Sequence, residues 1–437
     1  MVSTAQLYEF YSKHPIVCTD TRNISPGCIF FALKGENFDG NHFAKQALEA
    51  GAAYAVVDSP KEADERFLVV LDVLTALQDL ARMHRQQLQI PVIGITGSNG
   101  KTTTKELLYA VLSQHYRTFA TTGNLNNHIG VPLSVLAIKH DVEIAIIEMG
   151  ANHQKEIALL SSISQPSHGL ITNIGKAHLE GFGGLEGVKI GKGELYEFLA
   201  GHHGITFINR DSSDLMEMSE RHRLKQTVFY GKGEQNEVFG EILSVSPFLE
   251  IAWQSRLKEL GGKKFSVQTH LTGAYNLDNI LASIAVGVFF GLRPEEINAG
   301  LNGYVPSNNR SQITKTEKNT LICDYYNANP SSMNVALDNL QKIESAKKVI
   351  ILGDMFELGS ESAEEHQEII KKALKTPAER YIFIGQDFFE QGKNQRAEFY
   401  KSTEEAYRAL EATPVVQSTV LIKGSRGMKL EKLLELL

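Results

Sequence analysis

Residues 91–108 read PVIGITGSNGKTTTKELL, and this stretch decides the fold of the chain around it. A short apolar run leads into a glycine-rich turn and then into a helical pattern, which predicts a strand, a phosphate-binding loop and a helix. Glycines let backbone N–H groups approach phosphate oxygens, the lysine offsets phosphate charge, and the hydroxyl that follows can bind Mg²⁺. We predict an ATP or GTP site formed by Gly97, Ser98, Asn99, Gly100, Lys101, Thr102 and Thr103.

This loop departs from the general G-x4-G-K-[ST] spacing. Ile95 occupies the position of the first glycine, and Gly94 lies one residue earlier. A glycine-rich turn that binds nothing is the alternative, but the position of Lys-Thr-Thr at the start of the helix favours a nucleotide site. A phosphate loop alone does not name a reaction, because switches, motors, kinases and ligases all use one.

Alternating strand and helix patterns continue on both sides of the loop. Downstream, the strand-like runs EIAIIEMG, HGLITNIG and ITFINR are separated by helices, which predicts an α/β fold with a doubly wound parallel sheet. The strand-rich segment around 228–271, which includes TVFYG, predicts an antiparallel insert or flank. The apolar segment NLDNILASIAVGVFFG is too short to span a membrane, so we expect a buried helix there.

The length of the chain predicts more than one domain. A chain of 437 residues exceeds the size that one hydrophobic core serves, since cores stop growing near roughly 250 to 300 residues. We predict a small α/β domain at 1–82, a central nucleotide-binding domain at 83–307 and a Rossmann-like domain at 308–437. The segment GYVPSNNR would link the last two. The Rossmann-like domain is predicted from four strand-to-loop units, TLICDYYNANP, KKVIILGDMFELG, RYIFIGQ and STVLIKGSRG.

Composition and charge exclude several classes of protein. The N-terminal MVSTAQLYEFYSKH predicts an amphipathic helix rather than a secretion signal, and the apolar runs are short, so we expect a cytoplasmic protein without membrane insertion. A net charge of -7 favours small phosphorylated ligands over nucleic acid. The cysteines Cys18, Cys28 and Cys323 show no CxxC spacing, which argues against a disulfide framework or a thiolate metal site.

An acidic residue ends one of the predicted parallel strands. Glu148 closes EIAIIE, and ligands of open α/β sheets bind at the carboxyl ends of the strands. A Mg²⁺ ligand is one interpretation, and an acidic residue that merely ends a strand is the other. The residues alone leave both open.

Eight motifs, in order along the chain, together resemble the Mur ligases of peptidoglycan assembly. Those of the central domain are GITGSNGKTTTKE (94–106), TTGNLNNHIGVPLS (121–134), EMGANHQKEI (148–157) and TNIGKAHLEGFGGLEGVKIGKGELY (172–196). Those that look like the D-alanyl-D-alanine-adding member are DTRNISPGCIFFALKGENFDGNHF (20–43), DYYNANPSSM (324–333), GDMFELG (353–359) and KGSRGMKLE (423–431). The resemblance covers essentially the whole chain.

The resemblance implies an ATP-dependent ligase that joins D-Ala-D-Ala (D-alanyl-D-alanine) to UDP-MurNAc-tripeptide (UDP-N-acetylmuramoyl tripeptide) through an acyl phosphate. Thr102 and Glu148 would hold a Mg²⁺ ion that bridges the β- and γ-phosphates. Lys101 would stabilise charge on the transferring phosphoryl group, and His178 would bind a second Mg²⁺. An isolated histidine of this kind would otherwise be interpreted as a hydrogen-bonded loop residue.

The resemblance also implies a carbamoylated lysine at Lys192. A free ammonium would repel Mg²⁺, whereas a carbamate on the same side chain supplies anionic oxygen ligands. Lys189 is the nearby alternative, but it lies outside the KGEL element.

Further binding residues follow from the same resemblance. Asn276 and Asn279 would contact the adenine side of ATP. The residue before Asn276 is Tyr275, where the family often has histidine. The residues that would reach ATP from the third domain, and so require domain closure, are Arg310, Asp324 and Asn329. The UDP moiety would be held by Thr21, Arg22, Phe31, Asp39, Gly40 and Phe43, and its pyrophosphate and sugar by Thr122, Asn124, Asn126 and Asn127. The dipeptide would contact Asn327, Asp354, Glu357, Lys423 and Arg426.

Three other functions are the alternatives. The first two are the sibling ligase that adds the third amino acid and a folylpolyglutamate synthetase; DYYNANP and the nucleotide-sugar module argue against both. The third is a nucleotide-gated binding protein, which would need ATP but no amine acceptor. We find no Ser-His-Asp or Cys-His set, and no residue is identified as the base for the amine. We expect a monomer.

Overall fold

The computed structural model describes residues 1–245, 248–257, 260–306, 312–392 and 396–437. In these residues the strands form sheets of four, nine and six strands, in chain order, and one two-stranded hairpin. The predicted α/β fold class and its three-part organisation are confirmed.

The N-terminal part is a small parallel sheet covered by helices. Ser3 starts the first helix with a capping box, in which Gln6 N–H donates to Ser3 Oγ (3.3 Å) and Ser3 N–H donates to Gln6 Oε1 (2.9 Å). The sheet order is β1-β2-β5-β6, all parallel, and β3 and β4 form the hairpin. The elements are α1 (Thr4–Lys13), β1 (Val17–Cys18), β2 (Ile29–Phe31), β3 (Lys34–Gly35), β4 (Phe38–Asp39), α2 (Ala44–Glu49), β5 (Tyr54–Val57), β6 (Phe67–Val69) and α3 (Val73–Gln87).

Helix α3 ties this part to the central one. The buried guanidinium of Arg85 donates to the carbonyl oxygens of Ser164 (2.9 Å) and Leu88 (2.8 Å). His84 Nε2 lies 2.9 Å from the carbonyl oxygen of Ile138. The predicted domain boundary at residue 82 falls inside this helix, and the boundary at 307/308 lies outside the described residues.

The central part is one nine-stranded sheet in the order β15-β14-β13-β12-β11-β10-β7-β9-β8. The elements are β7 (Val92–Thr96), α4 (Lys101–Leu112), β8 (Thr118–Ala120), α5 (Gly130–Leu136), β9 (Ile144–Glu148), α6 (Glu156–Ser164), β10 (His168–Ile171), α7 (Leu179–Phe182), α8 (Leu185–Gly201), β11 (Ile205–Asn209), α9 (Ser213–Arg221), β12 (Thr227–Gly231), β13 (Val238–Ser244), β14 (Glu250–Ser255), β15 (Phe265–Gln268), α10 (Asn276–Phe289) and α11 (Pro294–Gly303).

The antiparallel flank is shorter than the sequence pattern predicts. β13, β14 and β15 form an antiparallel meander, but β12 (TVFYG) runs parallel to both β11 and β13. Its assignment to the flank was wrong, because helix α9 returns the chain so that β12 begins at the same end of the sheet as β11. The apolar segment after the flank is the buried helix α10, as predicted. No described helix combines the length and apolar character that a membrane crossing needs.

The third part is a six-stranded sheet in the order β16-β17-β21-β18-β19-β20, in which β16 is antiparallel and the others are parallel. The four predicted units supply β17, β18, β19 and β21. The elements are β16 (Gln312–Lys315), β17 (Thr320–Asp324), α12 (Pro330–Lys342), β18 (Lys348–Gly353), α13 (Ser362–Lys375), β19 (Arg380–Ile384), α14 (Gln386–Gln391), β20 (Glu398–Tyr400), α15 (Thr403–Ala412) and β21 (Thr419–Lys423).

One buried histidine makes the stability of this fold depend on pH. His168 packs among Phe207, Phe289 and Phe290, and burial lowers its pKa from 6.5 to about 4. Between these values the unfolded chain binds a proton that the folded chain does not. The free energy of unfolding should therefore fall by up to ~3 kcal/mol as the pH drops through this window.

We predict that His168→Gln flattens the pH dependence of urea unfolding between pH 6.5 and 4. The exposed His42→Gln variant is the surface control, and its curve should follow that of the parent protein. Equal slopes for His168→Gln and the parent would contradict the prediction.

Candidate active site

The central and third parts enclose a cleft of about 690 Å³. It lies where the carboxyl ends of β7 and β9 face those of β17 and β21, the edge at which open α/β sheets bind ligands. The predicted site residues that line it are Ser98, Asn99, Gly100, Lys101, Thr103, Asn126, Asn127, Glu148, His178, Asn276, Asn279, Asp324, Asn327, Asn329 and Lys423.

The glycine-rich loop connects β7 to α4 in a conformation that needs its glycines. Gly97 has φ 142° and Gly100 has φ 79°, a region that side chains other than glycine rarely adopt. A Cβ on Gly97 would also lie 2.0 Å from Thr172 Oγ1, and one on Gly100 would lie 2.8 Å from Asn279 Oδ1. Helix α4 begins at Lys101, so its N-terminal N–H groups face the cleft, as in sites that bind anions.

The loop is fastened to the segment that follows β10. Ser98 Oγ donates to the carbonyl oxygen of Gly175 (3.1 Å) and accepts the Gly175 N–H (2.9 Å). Asn173 accepts the N–H of Asn99 at its Oδ1 (3.0 Å) and donates from Nδ2 to the Asn99 carbonyl oxygen (3.0 Å). Lys101 folds back over the loop, and its Nζ lies 2.6 Å from the carbonyl oxygen of Gly97. The loop is thus held in shape by the protein itself.

Glu148 presents one carboxylate oxygen that the described residues leave without a partner. Asn126 Nδ2 donates to Oε1 (2.8 Å), and the Glu148 N–H donates to Thr121 Oγ1 (3.0 Å). Oε2 is buried and has no hydrogen-bond partner within the described residues. Buried polar atoms nearly always have a partner, so this oxygen suits a cation. Thr102, the other predicted Mg²⁺ ligand, is buried in the first turn of α4.

Lys192 is almost fully buried, with 1% of its surface exposed. Its Nζ donates to the carbonyl oxygen of Ala151 (3.0 Å), which lines the cleft, and lies 4.8 Å from the centre of the Phe182 ring. The pKa of Lys192 lies well below its usual range, mainly because the side chain is buried and secondly because of the positive charge of Lys101. The neutral form of the Lys192 amine is therefore favoured at this position.

Lys189 has a different environment. Its Nζ lies 2.7 Å from Asp214 Oδ1 and 2.9 Å from Glu217 Oε2, so it forms ion pairs with helix α9. The hydrogen bond to Asp214 is the largest cause of the raised pKa of Lys189. The two lysines of the motif thus differ in both burial and charge.

His178 joins the central part to the third. It has φ 54° and precedes α7, and its Nδ1 contacts the Oε2 atom of Glu357. This hydrogen bond is the largest cause of the lowered pKa of Glu357. Glu357 is one of the residues predicted to contact the dipeptide, and in the structure its carboxylate meets His178.

Asn276 and Asn279 brace the glycine-rich loop from the start of α10. Asn279 Nδ2 donates to Asn276 Oδ1 (2.9 Å), and Asn279 Oδ1 accepts the hydroxyl of Thr104 on α4 (3.1 Å). Asn276 Nδ2 donates to the carbonyl oxygen of Thr272 (2.8 Å). Both side chains therefore line the cleft and connect α10 to α4.

The third part contributes polar groups from the ends of two adjacent strands. Lys423 is buried, and its Nζ lies 2.7 Å from Asp324 Oδ2 and 3.2 Å from the carbonyl oxygen of Asn327. Asn329 caps α12 and also donates from Nδ2 to Asn99 Oδ1 in the glycine-rich loop (2.8 Å). The third part therefore touches the loop directly.

Other predicted residues do not line the cleft. Asp354 is buried and accepts the N–H groups of Asp387 (3.0 Å) and Phe388 (2.9 Å), which fixes the start of α14. Arg426 lies over the ring of Tyr326 (5.3 Å), and Arg310 lies outside the described residues.

The residues predicted to hold the UDP moiety lie in the N-terminal part and none lines the cleft. Arg22 is exposed and paired with Asp20 (2.6 Å), whereas Phe31 is fully buried in the core. Thr21 lies in a 3-10 helix, Asp39 accepts the N–H of Asn41 (2.9 Å), the Gly40 N–H donates to the carbonyl oxygen of Leu33 (2.9 Å), and Phe43 is exposed.

The four residues predicted to face the pyrophosphate and sugar belong to the central part. Thr122 and Asn124 are exposed beyond β8, whereas Asn126 and Asn127 line the cleft. The side-chain oxygen of Asn127 accepts the N–H of Gly130, the first residue of α5 (2.8 Å).

Sequence analysis missed several residues that shape the site. Glu194 accepts the N–H groups of Lys155 (2.5 Å) and Ala158 (2.8 Å) and so fixes the start of α6 beside the cleft. Lys105 is buried on α4 and donates to the carbonyl oxygen of Thr121 (2.6 Å). Glu194 and Lys105 each lie within a quoted motif, but nothing in the motif identifies their partners.

Comparison with known families gives three matches, in the order of the three parts. The family described as "Mur ligase family, catalytic domain" matches residues 15–85. "Mur ligase middle domain" matches residues 95–287, and "Mur ligase, glutamate ligase domain" matches residues 309–426.

Individual proteins are similar over almost the whole chain. The UDP-N-acetylmuramoyl-tripeptide--D-alanyl-D-alanine ligase of Bacillus subtilis (strain 168) is 36% identical over 431 residues, which cover 96% of this chain and 92% of that protein. The crystal structure of MurF from Acinetobacter baumannii has a TM-score of 0.87 at 32% identity, covering 96% of this chain and 92% of that one. MurF from Thermotoga maritima, in complex with ADP, has a TM-score of 0.84 at 28% identity and covers 96% of both chains.

The ion pair between Lys176 and Glu365 gives a test of the contact between the central and third parts. Lys176 Nζ lies 2.5 Å from Glu365 Oε1, and the Lys176 N–H donates to Ser331 Oγ (3.0 Å). We predict that Glu365→Ala weakens the closed arrangement by up to ~1 kcal/mol, about a fivefold change in the ratio of closed to open molecules.

Single-molecule FRET between dyes on the two parts measures this ratio. Glu344 is an exposed glutamate elsewhere in the third part, so Glu344→Ala is the matched control and should leave the ratio unchanged. Identical distributions for Glu365→Ala and the control would show that the ion pair does not stabilise the closed arrangement.

Proposed function

The chain belongs to the Mur ligase family, and we propose that it is the ATP-dependent enzyme that joins D-Ala-D-Ala to UDP-MurNAc-tripeptide in peptidoglycan biosynthesis. The observation that carries this is a match over 96% of the chain to relatives with that name. The cleft adds independent support, because a phosphate-type loop and a carboxylate with an unpaired oxygen line it, and the buried Lys192 donates to the carbonyl oxygen of Ala151 at its wall.

The reaction has two steps. A carboxylate is a poor electrophile, so the terminal carboxylate of the tripeptide first attacks the γ-phosphorus of ATP. The bond from that phosphorus to the β–γ bridging oxygen breaks, which yields an acyl phosphate and ADP. The amine of D-Ala-D-Ala then attacks the acyl carbon, the amine loses a proton, and the carbon–oxygen bond breaks to release phosphate. No protein nucleophile is needed.

The loop between β7 and α4 would bind the nucleotide phosphates. The N–H groups at the start of α4 would face the phosphates, and the loop before them is held in place without a ligand because the N–H groups of Ser98 and Asn99 donate to Asn173. Lys101 would leave the carbonyl oxygen of Gly97 to offset charge on the transferring phosphoryl group. Asn276 and Asn279 support the same loop from behind, on the side proposed for adenine.

The proposed mechanism uses two Mg²⁺ ions. Thr102 and Glu148 would hold one, and His178 and Lys192 would hold the other; of these residues, Glu148 and His178 line the cleft. When bound, these ions supply positive charge that offsets the repulsion between the attacking carboxylate and the γ-phosphate. The unpaired Oε2 of Glu148 is the observation that supports a cation here.

Lys192 suits conversion to a carbamate. Only a neutral amine reacts with CO₂, and burial beside Lys101 favours the neutral form. The product carries a negative charge on the same side chain, which turns a group that repels Mg²⁺ into a ligand for it.

The third part would complete the site when it closes. Asn329 already contacts Asn99, and Asp324 and Lys423 face the cleft beyond the phosphate loop. Closure keeps water from the acyl phosphate, which would otherwise hydrolyse. Arg310 and the residues predicted to hold the UDP moiety and the dipeptide stay predictions. So do the monomeric state and the cytoplasmic location, where ATP and the UDP-linked substrate occur.

A coupled assay tests the proposed function. Release of ADP should require both UDP-MurNAc-tripeptide and D-Ala-D-Ala, and mass spectrometry should detect the pentapeptide product. Equal ADP release without the dipeptide would instead support a nucleotide-gated binding protein. Product formed with a free amino acid in place of the dipeptide would support the sibling ligase, and product formed with folate and glutamate would support a folylpolyglutamate synthetase.

Lys192→Ala tests the carbamate. We predict loss of synthesis by at least ~100-fold, because the second Mg²⁺ loses an anionic ligand, with partial rescue by added acetate. In the parent protein, ¹³C-bicarbonate should give a carbamate carbonyl signal by NMR that this variant lacks. Lys189→Ala is the matched control and should keep both activity and signal. Near-normal activity of Lys192→Ala would remove the carbamate from the mechanism.

A further inference from the structure

The contact between His178 and Glu357 crosses from the central part to the third. Glu357 Oε2 is the hydrogen-bond partner of His178 Nδ1, and no other partner of this ring lies among the described residues. A carboxylate only accepts hydrogen bonds, so Nδ1 must carry the proton. The lone pair of the neutral ring is then on Nε2.

The position of Glu357 is itself well determined. It lies in the turn after β18 with φ 64°, and its carbonyl oxygen accepts the N–H of Glu180 on α7 (3.4 Å). The preceding Phe356 N–H donates to Ser425 Oγ (3.0 Å). Gly359, with φ 56°, packs directly against Glu180. The turn that holds Glu357 is therefore packed against α7, and the Glu357 carboxylate meets His178 when the two parts are in contact.

Histidines that bind metal ions commonly donate their second N–H to a carboxylate, which fixes the ring and raises its basicity. We propose that Glu357 is a positioning residue that holds His178 in the Nδ1–H form, leaves Nε2 for the second Mg²⁺, and so makes this metal site complete only when the third domain has closed. The inference rests on the proposed function for its second Mg²⁺. It assigns Glu357 to the metal site rather than to the dipeptide.

Metal binding without turnover tests this inference. Electron paramagnetic resonance of Mn²⁺ is measured with ADP and UDP-MurNAc-tripeptide, but without the dipeptide. The parent protein should bind two Mn²⁺ ions. Glu357→Ala should bind one of them ~10- to 100-fold more weakly, whereas Glu357→Gln, which keeps an acceptor oxygen, should retain most of the affinity. The exposed Glu344→Ala in the same domain is the control and should bind Mn²⁺ as the parent does.

A second measurement needs no metal. In ¹⁵N NMR of the metal-free protein, with the His178 signal assigned from a His178→Gln variant, the parent ring should be in the Nδ1–H form. Glu357→Ala should shift it towards the other tautomer. The inference would be overturned if the parent protein bound only one Mn²⁺ ion. It would also be overturned if Glu357→Ala bound both ions as tightly as the parent and showed only a raised KM for the dipeptide. A parent that binds two Mn²⁺ ions but makes no product would contradict the proposed function alone.

Discussion

The close approach of two loops is the constraint on which the rest of the structure depends. The loop after β7 and the segment after β10 lie so near one another that a single methyl group on Gly97 would overlap Thr172. The hydrogen bonds of Ser98 and Asn99 to this segment keep the phosphate loop in shape without a ligand. The same segment continues to Lys176 and His178, which meet the third domain. One stretch of chain therefore contacts both the phosphate loop and the third domain.

The sequence predicts the structure correctly where the residues that determine it are close together along the chain. The strand, turn and helix around Lys101 follow from residues within ten positions of Lys101, and Glu148 is identified by its place at the end of an apolar strand. Helix α10 was correctly predicted as buried because its length excludes a membrane span. The direction of β12 was missed, because strand composition does not show how a crossover returns the chain.

Contacts between distant parts of the chain could not be predicted in this way. Glu357 and His178 are 179 positions apart. Asp354 accepts backbone N–H groups of α14, which belong to none of the motifs. Both carboxylates were assigned to the dipeptide because they lie in one motif that resembles the family, GDMFELG. In the folded protein, Asp354 accepts N–H groups at the start of α14, whereas Glu357 contacts His178 across the domain interface. Motif membership identifies a region of the chain, whereas the partner of each side chain depends on tertiary structure.

The anchoring of α3 bears on how the chain folds during synthesis. Arg85 is made 79 residues before Ser164, the residue whose carbonyl oxygen it binds in the finished protein. At ~5–20 residues per second, the ribosome needs about 4 to 16 seconds to supply that acceptor. During this time the first sheet can form, but the guanidinium of Arg85, at the C-terminal end of α3, lacks its partner Ser164. Burying it without that partner would be costly, because an unpaired buried charge is unfavourable. The nascent N-terminal domain should therefore keep that end of the helix in solvent until the strand and helix that precede β10 have left the ribosome.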